Sequence, residues 1–423
     1  MPQIGLFPIT LDAALRQLRE LGARRVLAKP LAANDNSKNQ VYLGPNFSAL
    51  QVLPTGHVTP DAQKPILKAP LRWAWVDEGL AEAPRAQLIL YPQYPEVRLS
   101  GFLTGCARPP SDVMTSRDPN RVLLLGLCDD GRILARAAAA GSLIAREVLD
   151  RGDLPRTGVF LVVAGDAPDA RRLVTELRRI HAAGWIPGKK RQANGTISPY
   201  RAQNAGGYTL EAELGISPNG HAEPDFDGWE VKQFGGTVIT LLTPEPTGGD
   251  YRTLGVEDFV RRYGYADTRG RPDRLNFGGI FRVGERAERT GLTLRLRGFA
   301  DGVLRDPHGA VCLVDDEGRE AASWSLSGLL DHWKHKHALA AYVPSERREP
   351  GEYRYGPVVA LGYHTDPLRL LDAFARGAVY YDPGIKLEGA SAARPEVKRR
   401  SQFRVRFADV GALYERLERV DLR

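Results

Sequence analysis

PDFDGWEVKQF, residues 224–234, sets Asp225, Asp227, Glu230 and Lys232 around a short extended pattern. In a strand, residues two apart project from one face, so Glu230 and Lys232 point together while Trp229 and Val231 point the other way, into apolar packing. That is a half-buried strand with a polar working face. Upstream, Asp227-Gly228 allows a bend that swings the Asp225 carboxylate back beside Glu230. Two converging carboxylates repel unless a proton or a cation lies between them, and oxygen ligands of this kind suit Mg²⁺. A metal held this way polarises a phosphate and activates water, and a nearby ammonium offsets the charge that develops, so phosphodiester hydrolysis is the natural reaction class. A surface hairpin with a same-face ion pair is the plain alternative.

Just upstream, GGYTLEAELGISPNG (206–220) reads as a short helix in which Leu210 and Leu214 share a face and Glu211 falls beside them. An acid on the inner side of a helix needs a partner, and a shared metal is one candidate; a capping or surface glutamate is the other.

The order TLEAELGISPNG followed by PDFDGWEVKQF resembles the MvaI/BcnI family of restriction endonucleases and, more distantly, the mismatch-repair nickase MutH, both in the PD-(D/E)xK nuclease superfamily. LRRIHAAGWIPGKKR (177–191) is similar to the family's lead-in helix and loop, SWSLSGLLDHWKHKH (323–337) to a later amphipathic helix, and GAVYYDPGIK (377–386) with KRRSQFRVRF (398–407) to its carboxy-terminal strands. The resemblance spans about residues 168–423. It implies an α/β fold with a mixed sheet flanked by helices, and a Mg²⁺-dependent endonuclease acting at short specific sites in double-stranded DNA. It also implies Asp225, Glu230 and Val231 around the metal, Lys232 as the catalytic lysine and Glu211 as an auxiliary acid. Asp227 departs from the pattern as a second acid in the same stretch; Asp225 is preferred because Asp227 leaves little chain for the turn. A restriction enzyme further implies a cognate DNA methyltransferase acting on the same site, and a role in phage defence within a restriction-modification system. A nicking repair enzyme of the MutH kind and a non-cleaving DNA-binding regulator remain the rival readings.

RPEVKRRSQFRVRF (394–407) carries six cations against Glu396 alone. Alternation puts Gln402, Arg404 and Arg406 on one strand face and Phe403, Val405 and Phe407 on the other. Arg and Gln can make bidentate contacts to guanine and adenine edges, so Gln402 and Arg404 are expected to read bases, and Lys398, Arg399 and Arg400 to contact DNA at the strand entrance. A solvated basic strand is the alternative.

The wider chain agrees with this reading. Its 423 residues exceed one ordinary domain, and 58 Lys plus Arg against 51 Asp plus Glu give a net charge of +7, compatible with a polyanionic partner. Residues 1–165 read as a separate accessory α/β domain: a helix from Leu11 to Leu21, strands in 86–103, 121–130 and 157–165, and an Ala-rich helix over 131–149. The segment NDNSKNQ (34–40) reads either as a turn or as a DNA-contacting loop. APDARRLVTELRRIHAAGW (167–185) predicts an amphipathic helix on Leu173, Leu177 and Ile180, and IPGKKRQANGTISPYRAQNAGG (186–207) predicts a loop, either a flexible linker or a basic arm.

Other chemistries find little support. No GxGxxG follows a strand, and GWIPGKKR lacks the spacing of a phosphate loop. Cys106, Cys128 and Cys312 form no CxxC pair, which argues against a zinc module and fits a reducing cytoplasm. His332, His335 and His337 read as an exposed basic helix end rather than a zinc site, and His221 and His364 as unsupported candidates for DNA contact or proton transfer. No leader pattern or membrane-spanning run is apparent, so a cytoplasmic location is expected.

Overall fold

The chain folds into two compact units, residues 1–168 and 169–423. The computed structural model describes residues 9–33, 39–77, 79–94, 96–165, 170–216, 225–334 and 337–423.

Among the described residues, the first unit has two sheets. A seven-stranded mixed sheet runs in the order Arg156–Thr157, Phe160–Ala164, Ala23–Leu31, Arg121–Cys128, Arg132–Ala138, Arg72–Val76, Leu80–Glu82. A five-stranded antiparallel sheet runs Val41–Tyr42, Glu96–Ser100, Gln87–Tyr91, Leu67–Pro70, Thr59–Pro60. Helix Leu11–Glu20, capped by the Thr10 hydroxyl, and helix Leu143–Asp150, capped by Ser142, bury their apolar faces with Val26, Leu124 and Leu134 of the larger sheet.

The Ala-rich stretch 131–149 corrects the expectation of one helix. Arg132–Ala138 is a strand with paired neighbours on both edges, and only Leu143–Asp150 is helical. Alanine favours helix locally by tenths of a kcal/mol per residue, whereas burial of Ile133 and Leu134 between paired strands is worth roughly 1.5–3 kcal/mol per side chain. Tertiary burial wins. Gly141, at a positive φ of 72°, turns the chain before the Ser142 cap.

In the second unit, the long strand Leu339–Arg348 is the spine. On one edge it pairs antiparallel with Glu352–Tyr355 and then Val358–Tyr363, which pairs onward with Arg416–Asp421. On its other edge lies the parallel strand Glu230–Phe234. The predicted amphipathic helix forms over Ala170–Ala182 and buries Leu173, Val174, Leu177 and Ile180 with Trp229, Val231, Ala341 and Val343. This is the mixed sheet flanked by helices that the sequence led one to expect.

Two further expectations change. The segment 186–207 is not a plain loop: Lys189–Arg191 and Ile197–Pro199 form an antiparallel hairpin, with Lys189 held to Glu213 at 2.6 Å. The histidine-rich stretch is an exposed basic helix end at His332, in the last turn, but not at His337. The helix spans Leu326–Trp333 and His337 is buried, its ring stacked on Trp333 at 4.1 Å. His335 and His221 lie outside the described residues, as do residues 34–38 of the NDNSKNQ segment.

Candidate active site

The site begins with a two-residue turn. Asp227 and Gly228 both have positive φ, 46° and 83°, and Phe226 and Trp229 exchange N–H to carbonyl bonds of 2.9 and 2.8 Å. Asp-Gly is a favoured pair for such a hairpin, because aspartate tolerates the left-handed region and glycine meets no steric penalty there. The turn folds Asp225 back along the strand it precedes, and its Oδ2 accepts from the Val231 N–H at 2.9 Å.

That bond fixes which edge of the strand is open. In an extended strand the N–H and C=O of one residue leave on the same edge, and alternate residues use opposite edges. With the Val231 N–H directed to Asp225, the Val231 carbonyl also faces away from the spine strand. Among the described residues no other strand pairs with Glu230–Phe234. Carboxylate and carbonyl oxygens therefore share the edge that no described strand pairs.

The faces divide as the alternation predicts. Trp229 and Val231 enter the apolar core beneath the helices. Glu230, 1 % exposed, and Lys232 share the other face and form an ion pair. The register sets Lys232 opposite Tyr342, which is buried, and the Tyr342 and Tyr414 hydroxyls are hydrogen-bonded at 2.9 Å. Burial drives both phenols above the ordinary tyrosine range, and the Glu230 charge adds to the effect. Glu230 therefore lies over a neutral, hydrogen-bonded aromatic floor.

Glu211 belongs to helix Ala205–Glu213, which packs against the opposite face of the site strand. Gly206 permits that approach: a Cβ there would meet Gln233 and the Tyr353 ring at 3.1 Å. Glu211 is half-buried, and among the described residues no three His, Cys, Asp or Glu side chains gather as a metal cluster. Glu213, two residues on, is bound to Lys189 and to Arg179 at 3.3 Å. Burial opposes its ionisation, but the two cations overcome that and hold the carboxyl below its usual range.

Asp227 has a separate role in the geometry. Its carboxylate pairs with Arg172 at 2.7 Å, and the same guanidinium lies over the Phe226 ring at 5.5 Å. Sequence reading named neither Arg172 nor the Tyr342–Tyr414 pair. Arg172 is one of several arginines on an amphipathic helix, and no local signal in the sequence marks the one that reaches the turn.

The basic strand Phe403–Arg406 is the middle of a three-stranded sheet between Val238–Leu242 and Val379–Tyr381. Phe403 and Val405 are buried, Gln402 and Arg404 half-buried, and Arg406 exposed. Arg404 is engaged with Asp382 at 2.6 Å. Lys398 ends the strand Glu396–Lys398, and Arg399 and Arg400 follow it in the connection to Phe403; all three are exposed.

The model of the MvaI/BcnI restriction endonuclease family matches residues 174–414. The chain belongs to this family. Membership in the MvaI/BcnI family makes it a DNA-cleaving endonuclease of restriction type. Among solved structures, the complex of restriction endonuclease MvaI with its cognate DNA substrate is similar over 60 % of this chain and 98 % of its own, at 16 % identity and a TM-score of 0.44. MvaI without DNA is similar over 61 % of this chain and 100 % of its own, at 14 % identity and a TM-score of 0.34. No curated protein matches the sequence. Among the described residues no helix is long and apolar enough to cross a membrane.

Proposed function

We propose that this family member is a Mg²⁺-dependent endonuclease that hydrolyses phosphodiester bonds at specific short sites in double-stranded DNA. The observation that carries the reading is the Asp225 carboxylate held at the Val231 N–H, on the open edge of the strand whose Glu230 and Lys232 share one face.

The donor set fits the ion. Asp225 and Glu230 offer carboxylate oxygens, and Val231, which has no polar side-chain atom, offers its carbonyl. Mg²⁺ prefers hard oxygen ligands, is commonly bound by one or two carboxylates, and keeps several waters. When bound, it supplies charge to the scissile phosphate and lowers the pKa of a coordinated water. Asp225 is kept in place by the Asp227-Gly228 turn, so its oxygens need no reorganisation. Lys232 supplies an ammonium beside Glu230 that can stabilise charge developing on the phosphate. Glu211 is assigned an auxiliary role from its helix.

Residues 166–423 form the endonuclease domain in this reading, and residues 1–165 an accessory domain that reads DNA. Gln402 and Arg404 contact bases, with Lys398, Arg399 and Arg400 on phosphates. The enzyme works in the cytoplasm beside a cognate DNA methyltransferase, in a restriction-modification system directed against phage.

Incubation of the purified protein with plasmid and Mg²⁺ tests the reading. Linear fragments of fixed size are expected. Persistent open circles would replace restriction with nicking, and retention on DNA without cleavage would overturn the catalytic assignment.

A further inference from the structure

The first unit contains a cavity of about 900 Å³ that the cleavage chemistry does not use. That volume falls in the range of sites for nucleotide-sized ligands. Residues of both sheets line it, from Lys29 and Leu31 of the larger to Tyr42, Tyr91 and Arg98 of the smaller.

Two kinds of group dominate its rim. Tyr94 is 70 % exposed and Tyr42 48 %, unusual for rings of this size and informative where both border one cavity. Lys29 and Lys64 supply cations, and among the described residues neither ammonium pairs with a carboxylate; the Lys29 ammonium has only the neighbouring Pro30 carbonyl, at 3.0 Å. Burial lowers the Lys29 pKa, so an anion brought into the cavity would offset a charge that no described carboxylate neutralises.

The remaining polar wall is partly committed. Arg98 binds Glu96 at 2.8 Å and the Gln40 carbonyl oxygen at 3.2 Å, which offsets the Glu96 charge and orients the Gln40 amide. Arg121 is occupied by the carbonyls of Asp118, Val113, Met114 and Ala32 and serves the fold. The cavity therefore offers exposed rings for stacking, amides such as Gln40 and Gln93 for a heterocycle edge, and the Lys29 and Lys64 ammoniums for an anion.

We infer that this cavity binds a single nucleotide, its base stacked on Tyr94 or Tyr42 and its phosphate toward Lys29 and Lys64. Stacking on an aromatic ring with a neighbouring cation is how proteins hold an unstacked base. The nucleotide can come from two sources, a free nucleoside monophosphate or a residue extruded from a DNA duplex. The second deepens the DNA-reading role proposed for this unit, whereas the first is independent of it.

The full-length protein is titrated, without divalent cation so that cleavage plays no part, with dAMP, dCMP, dGMP and dTMP in turn. In parallel its affinity is measured for duplexes in which one nucleotide faces an abasic gap, against the fully paired duplex. Extrusion costs less when a base is unpaired, so a cavity that takes DNA nucleotides should prefer the gapped duplex by about tenfold. Binding of a free monophosphate identifies the other source. In either format Tyr94→Ala should weaken the signal about tenfold, and on the duplexes Lys64→Ala should reduce its salt dependence by about one counterion. Both side chains line an open rim, so the fold should survive their loss, checked by the thermal midpoint. No binding of any monophosphate together with no preference for a gapped duplex, or a signal that neither Tyr94→Ala nor Tyr42→Ala weakens, overturns the proposal. A chain that binds nucleotide but fails to cut plasmid would leave this inference standing while the nuclease reading falls.

Discussion

Two short alternating strands of the second unit, Glu230–Phe234 and Phe403–Arg406, look alike in sequence and differ in surroundings. Each buries an alternating apolar set, Val231 in one and Phe403 and Val405 in the other, and carries polar residues at intervening positions. The basic strand is paired on both edges, so its polar reach is confined to side chains such as Arg404. Among the described residues the site strand is paired on one edge, and its backbone takes part: the Val231 N–H holds Asp225, and the carbonyl leaves on the same side. The difference shows that alternation assigns faces, whereas the capacity to assemble an oxygen site depends on which edge is left open.

The comparison breaks most sharply at the carboxylates. Asp225→Ala and Glu230→Gln should each lower Mg²⁺-dependent plasmid cleavage by more than about a hundredfold, since loss of even an outer-shell partner of a metal ligand costs 10–100-fold. DNA retention in a gel-shift assay should remain. Cleavage at the unaltered rate in either variant would remove the site from this strand.

A smaller effect is expected on the basic strand. Arg404→Ala should cost about 1–3 kcal/mol on the cognate duplex and relax discrimination at one base pair, as for a lost bidentate contact. Because Arg404 is bound to Asp382, base reading requires it to exchange that partner, and Asp382→Asn should strengthen binding rather than weaken it. Equal losses on every duplex, with a salt dependence smaller by about one counterion, would assign Arg404 to phosphate.

The turn separates the two aspartates. Asp227→Asn keeps a residue that tolerates positive φ and removes one partly exposed ion pair, worth about 0–1 kcal/mol. Cleavage should fall no more than a few-fold, and Arg172→Ala should act similarly. A loss as deep as that of Asp225→Ala would exchange the roles of Asp225 and Asp227.

The smallest effect concerns acid stability. Glu213 has a folded-state pKa below its ordinary 4.5, so the unfolded chain takes up its proton first as pH falls. Its stabilisation is fully present above 4.5 and is lost as pH drops through the depressed value. Lys189→Met removes the nearer cation, so the thermal midpoints of variant and parent should differ at pH 6 and converge toward pH 3. A constant gap across that range would show that Lys189 stabilises by packing alone.

The sequence by itself determined the local chemistry of this protein. Spacing made Glu230 and Lys232 neighbours on one face, Asp227-Gly228 specified a turn, and the leucines of 173–180 specified an amphipathic helix; each depends on backbone period or steric preference over a few residues. Only the tertiary structure decided what distant partners contribute. Arg132–Ala138 became a strand because neighbours bury both its edges, against the helical preference of its alanines. His337 went inside because Trp333 offered a ring to stack on. Arg172 reached Asp227, and Tyr342 with Tyr414 formed the floor under Glu230, through contacts between residues far apart in the chain. Local preferences are worth tenths of a kcal/mol per residue and burial is worth whole kcal/mol per side chain, so the choice of partner overrides the local pattern where the two conflict.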